Sequence, residues 1–286
     1  NEGIDQLYEV LKNSHSKEKD AVSILAQFTN EQIIKKIIPK YNQKYNRNMI
    51  EHIQHESQGL VRRLFTTILT PRYQIWAQLL FDFSGTKMLP HLVKIASLID
   101  HQDRFRLIQN YQELFSQPID HLFTLIKDQN INLYLKSIMK NEYEITDDGI
   151  LQFCEDCKQI MTAQQMFEFI VTLTPKKLPK FLQQFKIQLG YNFDVYLLKA
   201  HGEIKDIVQC RLLSLEAPVQ QIADILMQFI KKTKDDVILS QVTCVFRDYL
   251  WKDLNLYYKD MVEHIKANQW GRYEDAILRL WGIEWF

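Results

Sequence analysis

A shift of 70 positions lays one stretch of this chain over another. Tyr41 falls on Tyr111, Tyr45 on Phe115, Met49 on Ile119, Ile53 on Phe123, Val61 on Ile131, Phe65 on Leu135 and Ile68 on Ile138, with no gap. In the second half a shift of 69 brings Gly202 onto Gly271, Ile204 onto Tyr273 and Val208 onto Ile277. Phe193 and Leu197 then meet Met261 and Ile265 once one residue is slipped. Self-similarity at this period marks supersecondary units that cannot bury their apolar faces alone and must stack on neighbours. Four segments are expected, 1–70, 71–144, 145–215 and 216–286, each a copy of one helical unit.

The clearest copy runs from Thr29 to Leu69. Ile33, Ile34, Ile37 and Ile38, then Met49, Ile50 and Ile53, then Leu60, Val61, Leu64, Phe65, Ile68 and Leu69 follow the i, i+3, i+4 spacing of one-faced helices. Asn46-Arg47-Asn48 and Ser57-Gln58-Gly59 punctuate them as turns. Thr29 is placed to cap the first of these helices, and Pro39 is expected to kink it or end it. Ile4 to Leu11 and Asp20 to Gln27 read as two earlier helices. Thr70-Pro71 and Ala217-Pro218 open the second and fourth segments, with each proline in or beside a first helical turn. Pro90, Pro118 and Pro179 also fall at helix starts, and Gly190 at a helix end. The polar run Glu142 to Asp148 lacks apolar periodicity and is read as a hinge between two-segment halves.

The order of these pieces resembles the annexins. Their repeat of five helices typically includes a Thr-Asn or Ser-Asn turn, a helix ending in Lys/Arg-x-Tyr, a short turn, a helix with two leucines four apart, an Asp/Glu-x-Ser-Gly turn and a last apolar helix. TNEQIIKKIIPKYNQKYNRNMIEHIQHESQGLVRRLFTTIL follows that order. The resemblance spans the chain, strongest in the first segment and thinnest in the middle two. It implies an all-α fold of four repeats, about five helices each, arranged as a curved disc.

Composition agrees with that class. Lys plus Arg and Asp plus Glu are equal at 35 each, so no overall field draws the chain to nucleic acid or anionic lipid. Gly and Pro are scarce at 8 and 7, which favours helix. No apolar run approaches the roughly 20 residues of a membrane span, and NEGIDQLYEVLK lacks the basic-then-apolar order of a secretion signal. Four cysteines are too few for a disulfide framework, so a reducing, cytoplasmic setting is expected.

The resemblance also says where calcium would bind. A Gly-x-Gly-Thr loop between the first two helices offers backbone carbonyls, and a carboxylate from the turn before the last helix completes the site. In the first segment the glycines fall on Ser14 and Ser16, Lys17 replaces the threonine, and the acid is Glu56. In the second, Gly85-Thr86 is kept, but the acid position is Ile126 with Asp128 two residues on. In the third the loop reads QIMTA and the acid position is Lys199 or Ala200; in the fourth the loop is IKKTK and the acid is Asn268. Calcium needs six to eight converging hard oxygens. No segment keeps both halves, so calcium binding is expected to be weak or lost, with Glu56, Ser14, Ser16, Gly85 and Thr86 as remnants.

Other clusters are read as structural. Cys154 and Cys157 form a CxxC beside Glu155 and Asp156, which disfavour a thiolate, and no second pair stands at zinc spacing. His52 and His55 in EHIQHE are read as surface histidines across a turn. Trp281 suits the core, Trp270 an exposed anchor for lipid or a protein, and the apolar WGIEWF end should dock. No nucleophile–base set, phosphate loop or nucleotide fingerprint occurs. The expected function is that of a non-enzymatic, annexin-like platform for a cytoskeletal or other protein assembly, a use the resemblance extends to through the giardins of some protists. The alternative is calcium-dependent binding to acidic phospholipid, peripheral on a membrane.

Overall fold

Capping residues set the starts of many helices. The computed structural model describes residues 2–12, 18–233, 235–257, 260–268 and 271–282, and among them it contains helices and turns but no strand. The first segment holds α1 (Glu2–Lys12), α2 (Glu18–Ala26), α3 (Asn30–Gln32), α4 (Ile38–Tyr45), α5 (Met49–Glu56) and α6 (Gly59–Ile68). The second holds α7 (Arg72–Asp82), α8 (Leu89–Ser97), α9 (His101–Phe115), α10 (Asp120–Leu125) and α11 (Gln129–Lys140). The third holds α12 (Asp147–Asp156), α13 (Ala163–Ile170), α14 (Leu178–Leu189), α15 (Phe193–Ala200) and α16 (Lys205–Glu216). The fourth holds α17 (Pro218–Met227), α18 (Asp236–Tyr257), α19 (Met261–Asn268) and α20 (Arg272–Leu280).

Thr29 caps α3 in a reciprocal box with Gln32, and Thr162 repeats that arrangement with Gln165 at α13. Asn48, Asp100, Asp128 and Thr146 cap α5, α9, α11 and α12 by accepting first-turn amides. Asn46, Ser116 and Gly190 end α4, α9 and α14 in the left-handed conformation, so the same reversal follows the third helical stretch of three segments.

Pro39 marks a change of helix type rather than an end of helical structure. A π-helical turn over Ile33–Ile37 precedes it, with the Ile38 amide reaching back to the Ile33 carbonyl. The wider turn lets Pro39 sit in the first turn of α4, where its missing donor costs least. The fourth segment departs from five helices. Its α18 runs 22 residues, where the other segments break between a second and a third helical stretch. No Gly, Pro, Ser or Thr stands at the expected break in CVFRDYLWKD, and Asp248 there accepts the Asn30 amide at 2.7 Å rather than capping its own helix.

The chain sorts into two compact units, one of Asn1–Leu79 with Ile222–Phe286, the other of Leu80–Gln221. This corrects the hinge expected at Glu142–Asp148, which lies inside the second unit. Asn141 donates its side-chain amide to the Val171 carbonyl at 2.8 Å, and the Ile145 amide meets the Thr172 carbonyl at 3.1 Å. Local polarity could not reveal these tethers, because their partners lie about 30 residues on.

In the first unit α2 packs on α20 and α6 on α18. Arg247 of α18 donates to the Ala26 and Phe28 carbonyls at the end of α2, and Asn30 takes up the Ile68 and Thr70 carbonyls at the end of α6. Trp281 is buried and donates its indole N–H to the Thr243 hydroxyl at 3.1 Å. In the second unit α8 packs on α16 and α11 on α13. Arg211, 5% exposed, sends one nitrogen to the Ser97 and Ile99 carbonyls at the end of α8 and the other to Val171 and Leu173 past α13. A guanidinium set between two helix C-termini is stabilised by their partial negative charge, so no carboxylate is needed. Ile53, Phe123, Leu197 and Ile265 are all buried, each on the helix before the last of its segment, as the repeat requires.

Candidate functional site

Glu56 is the last residue of α5. Met49 and Ile53 bury that helix's apolar face, which leaves Glu56 at its end with the side chain 23% exposed. One carboxylate oxygen lies 2.8 Å from Nδ1 of His55. Ser14, Ser16 and Lys17, the loop expected to face it, lie outside the described residues.

Sequence reasoning missed Glu18 beside it. Glu18 opens α2, is buried, accepts the Gln58 amide at 3.0 Å and meets Arg272 at 3.2 Å. It thereby ties the turn after α5 to the start of α2 and lines the same small cavity as Glu56. An acid in a first helical turn is common for dipole reasons alone, so its sequence gave no particular signal.

In the second segment Gly85 and Thr86 are exposed. Gly85 has φ −67° and ψ 146°, a conformation open to any residue, and its carbonyl accepts the Met88 amide at 2.9 Å. Ile126 in the same segment is 4% exposed and its carbonyl receives the Asn132 side chain at 3.1 Å. Asp128 spends one oxygen on the Ile131 amide at 2.9 Å as the cap of α11. In the third segment Thr162 is held in its capping box and Lys199 lies over the Tyr191 ring at 5.6 Å. Ile160 there is 94% exposed, which its apolar character did not foretell. In the fourth, Lys231 is exposed, whereas the side chain of Asn268 and the whole of Trp270 lie outside the described residues, as do Ile283 to Phe286 of the apolar end.

Two other expectations change. EHIQHE does not cross a turn: it lies within α5, and His52 is buried rather than at the surface. Its Nδ1 sits 2.6 Å from the Tyr41 hydroxyl, and burial holds the imidazole below its ordinary pKa. Tyr111 pairs similarly with His121 at 3.1 Å, and Tyr196 with His201 at 3.3 Å. Cys154 and Cys157 are buried free thiols, as expected, but what chiefly disfavours their thiolates differs from the expectation. Burial is the largest influence on both, pushing Cys154 up to about 11 and Cys157 to about 12, while Asp156 adds a minor push to Cys157. Among the described residues no three His, Cys, Asp or Glu side chains gather as a metal-holding group. No helix among them is long and apolar enough to cross a membrane.

No family model matches the chain, and no curated protein is significantly similar to it. Solved structures are. Calcium-bound annexin (Sm)1 aligns with a TM-score of 0.81 at 15% identity over 98% of this chain and 89% of that one. Calcium-bound alpha-1 giardin aligns at 0.77 and 16% identity over 99% of both chains. Chicken annexin V aligns at 0.70 and 14% identity over 98% of this chain and 94% of its own. With the all-helical architecture and the repeated buried positions, these likenesses establish that the chain has the annexin fold.

Proposed function

We propose that the chain is a non-enzymatic, annexin-like interaction protein whose calcium binding is weak or lost, and that it serves as a platform for a protein assembly, cytoskeletal among the choices. The observation that carries this reading is the separation of the two halves of a site. Glu56 stands at the end of α5 in the first segment, while the glycine-threonine turn stands in the second, whose acid position is a buried Ile126. A missing carboxylate removes both a ligand and the charge that offsets dehydration of the cation. Sharing a fold with calcium-bound annexin (Sm)1 and calcium-bound alpha-1 giardin supports a binding role over an enzymatic one, without supplying the ligands.

A second reading keeps the calcium-dependent phospholipid activity, and Glu56, part-exposed at its helix end, is the observation that favours it. Co-sedimentation with phosphatidylserine vesicles, in calcium and in chelator, separates the two. The platform reading expects the chain to stay in the supernatant at micromolar calcium. Pelleting that needs micromolar calcium and disappears in Glu56→Gln would establish the second reading instead.

A further inference from the structure

The first unit contains a cleft of about 360 Å³ between the end of α2, the middle of α18 and the end of α20. Its size falls within the roughly 300–1,000 Å³ of small-molecule sites. Ala26, Phe28 and Leu280 give it apolar wall, and Ser23, Arg247 and Arg279 are among its polar groups. The cations differ in how they are occupied. Arg247 donates to two carbonyls and lies 3.5 Å from the Asp248 carboxylate, which also accepts the Asn30 amide. That pair is electrically and sterically complete.

Arg279 is not. It is half-buried, has no carboxylate within 4.0 Å among the described residues, and donates only from Nη1 to the Ser23 hydroxyl, at 2.5 Å. Its Nε is fully buried with no acceptor. Nη2 makes no hydrogen bond to described residues and, unlike Nε, is not sealed from solvent. Ser23 in turn donates to the Lys19 carbonyl, which fixes the hydroxyl as an acceptor and holds the guanidinium in one orientation. Among the described residues lining the cleft, Asp248 offsets Arg247 and no carboxylate stands within 4.0 Å of Arg279, so one positive charge on a planar fork lies beside apolar wall.

We propose that this cleft binds a small organic oxyanion, a carboxylate or a phosphate monoester, on a compact apolar body. The anionic head would lie against Nη2 of Arg279, the guanidinium nitrogen left unpaired among the described residues and open to solvent, since charge-assisted N–H bonds to carboxylate and phosphate oxygens are the strong ones. The body would cover Phe28, Ala26 and Leu280. Neither calcium nor the platform reading enters this argument.

The test is calorimetric titration of the full chain with octanoate, phenyl phosphate and, as the neutral comparison, 1-octanol. Saturable one-to-one binding is expected for at least one anion at about millimolar affinity or better, with none for the alcohol. Which anion binds distinguishes carboxylate from phosphate. Arg279→Gln should weaken binding about tenfold or more while circular dichroism stays unchanged. The proposal is overturned if neither anion saturates by about 10 mM, if the alcohol binds as tightly, or if Arg279→Gln binds within about twofold of the parent. Should that variant fail to fold, Arg279→Lys decides. It keeps the charge and most of the stem but not the fork, so a loss of about threefold or more supports the proposal and an unchanged affinity overturns it.

Discussion

The ends of α5 and α10 hold the same place in the first two segments, yet one carries Glu56 near the surface and the other Ile126 in the core. Behind both turns the buried faces agree. Ile53 and Phe123 fill equivalent positions, and Tyr41 and Tyr111 each meet a histidine. The difference teaches that the inward faces of these two segments agree while the helix ends beside them vary in charge and burial.

Substitution at the two turns should separate them most. Ile126→Glu places a carboxylate in a core site and should cost about 3 kcal/mol or more of stability in urea denaturation. Glu56→Gln should change stability by no more than about 0.5 kcal/mol, since a partly exposed pair contributes little. Similar costs for the two variants would break the comparison.

The tyrosine–histidine pairs come next. Replacing His52 by Leu strands the buried Tyr41 hydroxyl and should cost about 1–3 kcal/mol. The pair also predicts a pH dependence. Burial lowers the folded-state pKa of His52 and of His201. The unfolded chain then binds protons that the folded chain resists, so stability is fully present above the unfolded value near 6.5 and falls as pH drops through it. Denaturation midpoints measured from pH 7.5 to 5 should show that fall, and it should be shallower in His52→Gln and shallower still in His52→Gln/His201→Gln. A slope indifferent to both substitutions would remove these histidines from the account.

The smallest effect concerns the left-handed caps. Ser116 has φ 53° and Asn46 φ 43° at matched helix ends. Ser116→Gly should stabilise by up to about 1 kcal/mol, and Asn46→Gly by less, because asparagine tolerates this conformation better than serine. Equal gains in thermal unfolding would mean that the two ends are not strained alike.

Much of the fold was legible because its signals are local. Thr29 with Gln32, Pro71 before α7, Pro218 at the start of α17 and Gly190 after α14 each act within one helical turn. What escaped depends on distant partners. The unbroken α18 reflects an Asp248 whose oxygen is committed to Asn30, 218 residues away. The placing of Glu142–Asp148 inside one unit depends on tethers to Val171 and Thr172. The burial of His52 follows from Tyr41, on a different helix. For the candidate site, the sequence offered Glu56, Gly85 and Thr86 only as expectations, and it could not show that Asp128 is spent as a cap or that Glu18 holds the turn beside Glu56.

The central claim, an annexin fold whose segments divide the parts of a calcium site between them, is tested most directly by calorimetric titration of the purified chain with calcium. The account predicts no saturable heat below about 1 mM, the weak end of protein calcium sites. Saturable binding at micromolar calcium, lost in Glu56→Gln, would contradict it.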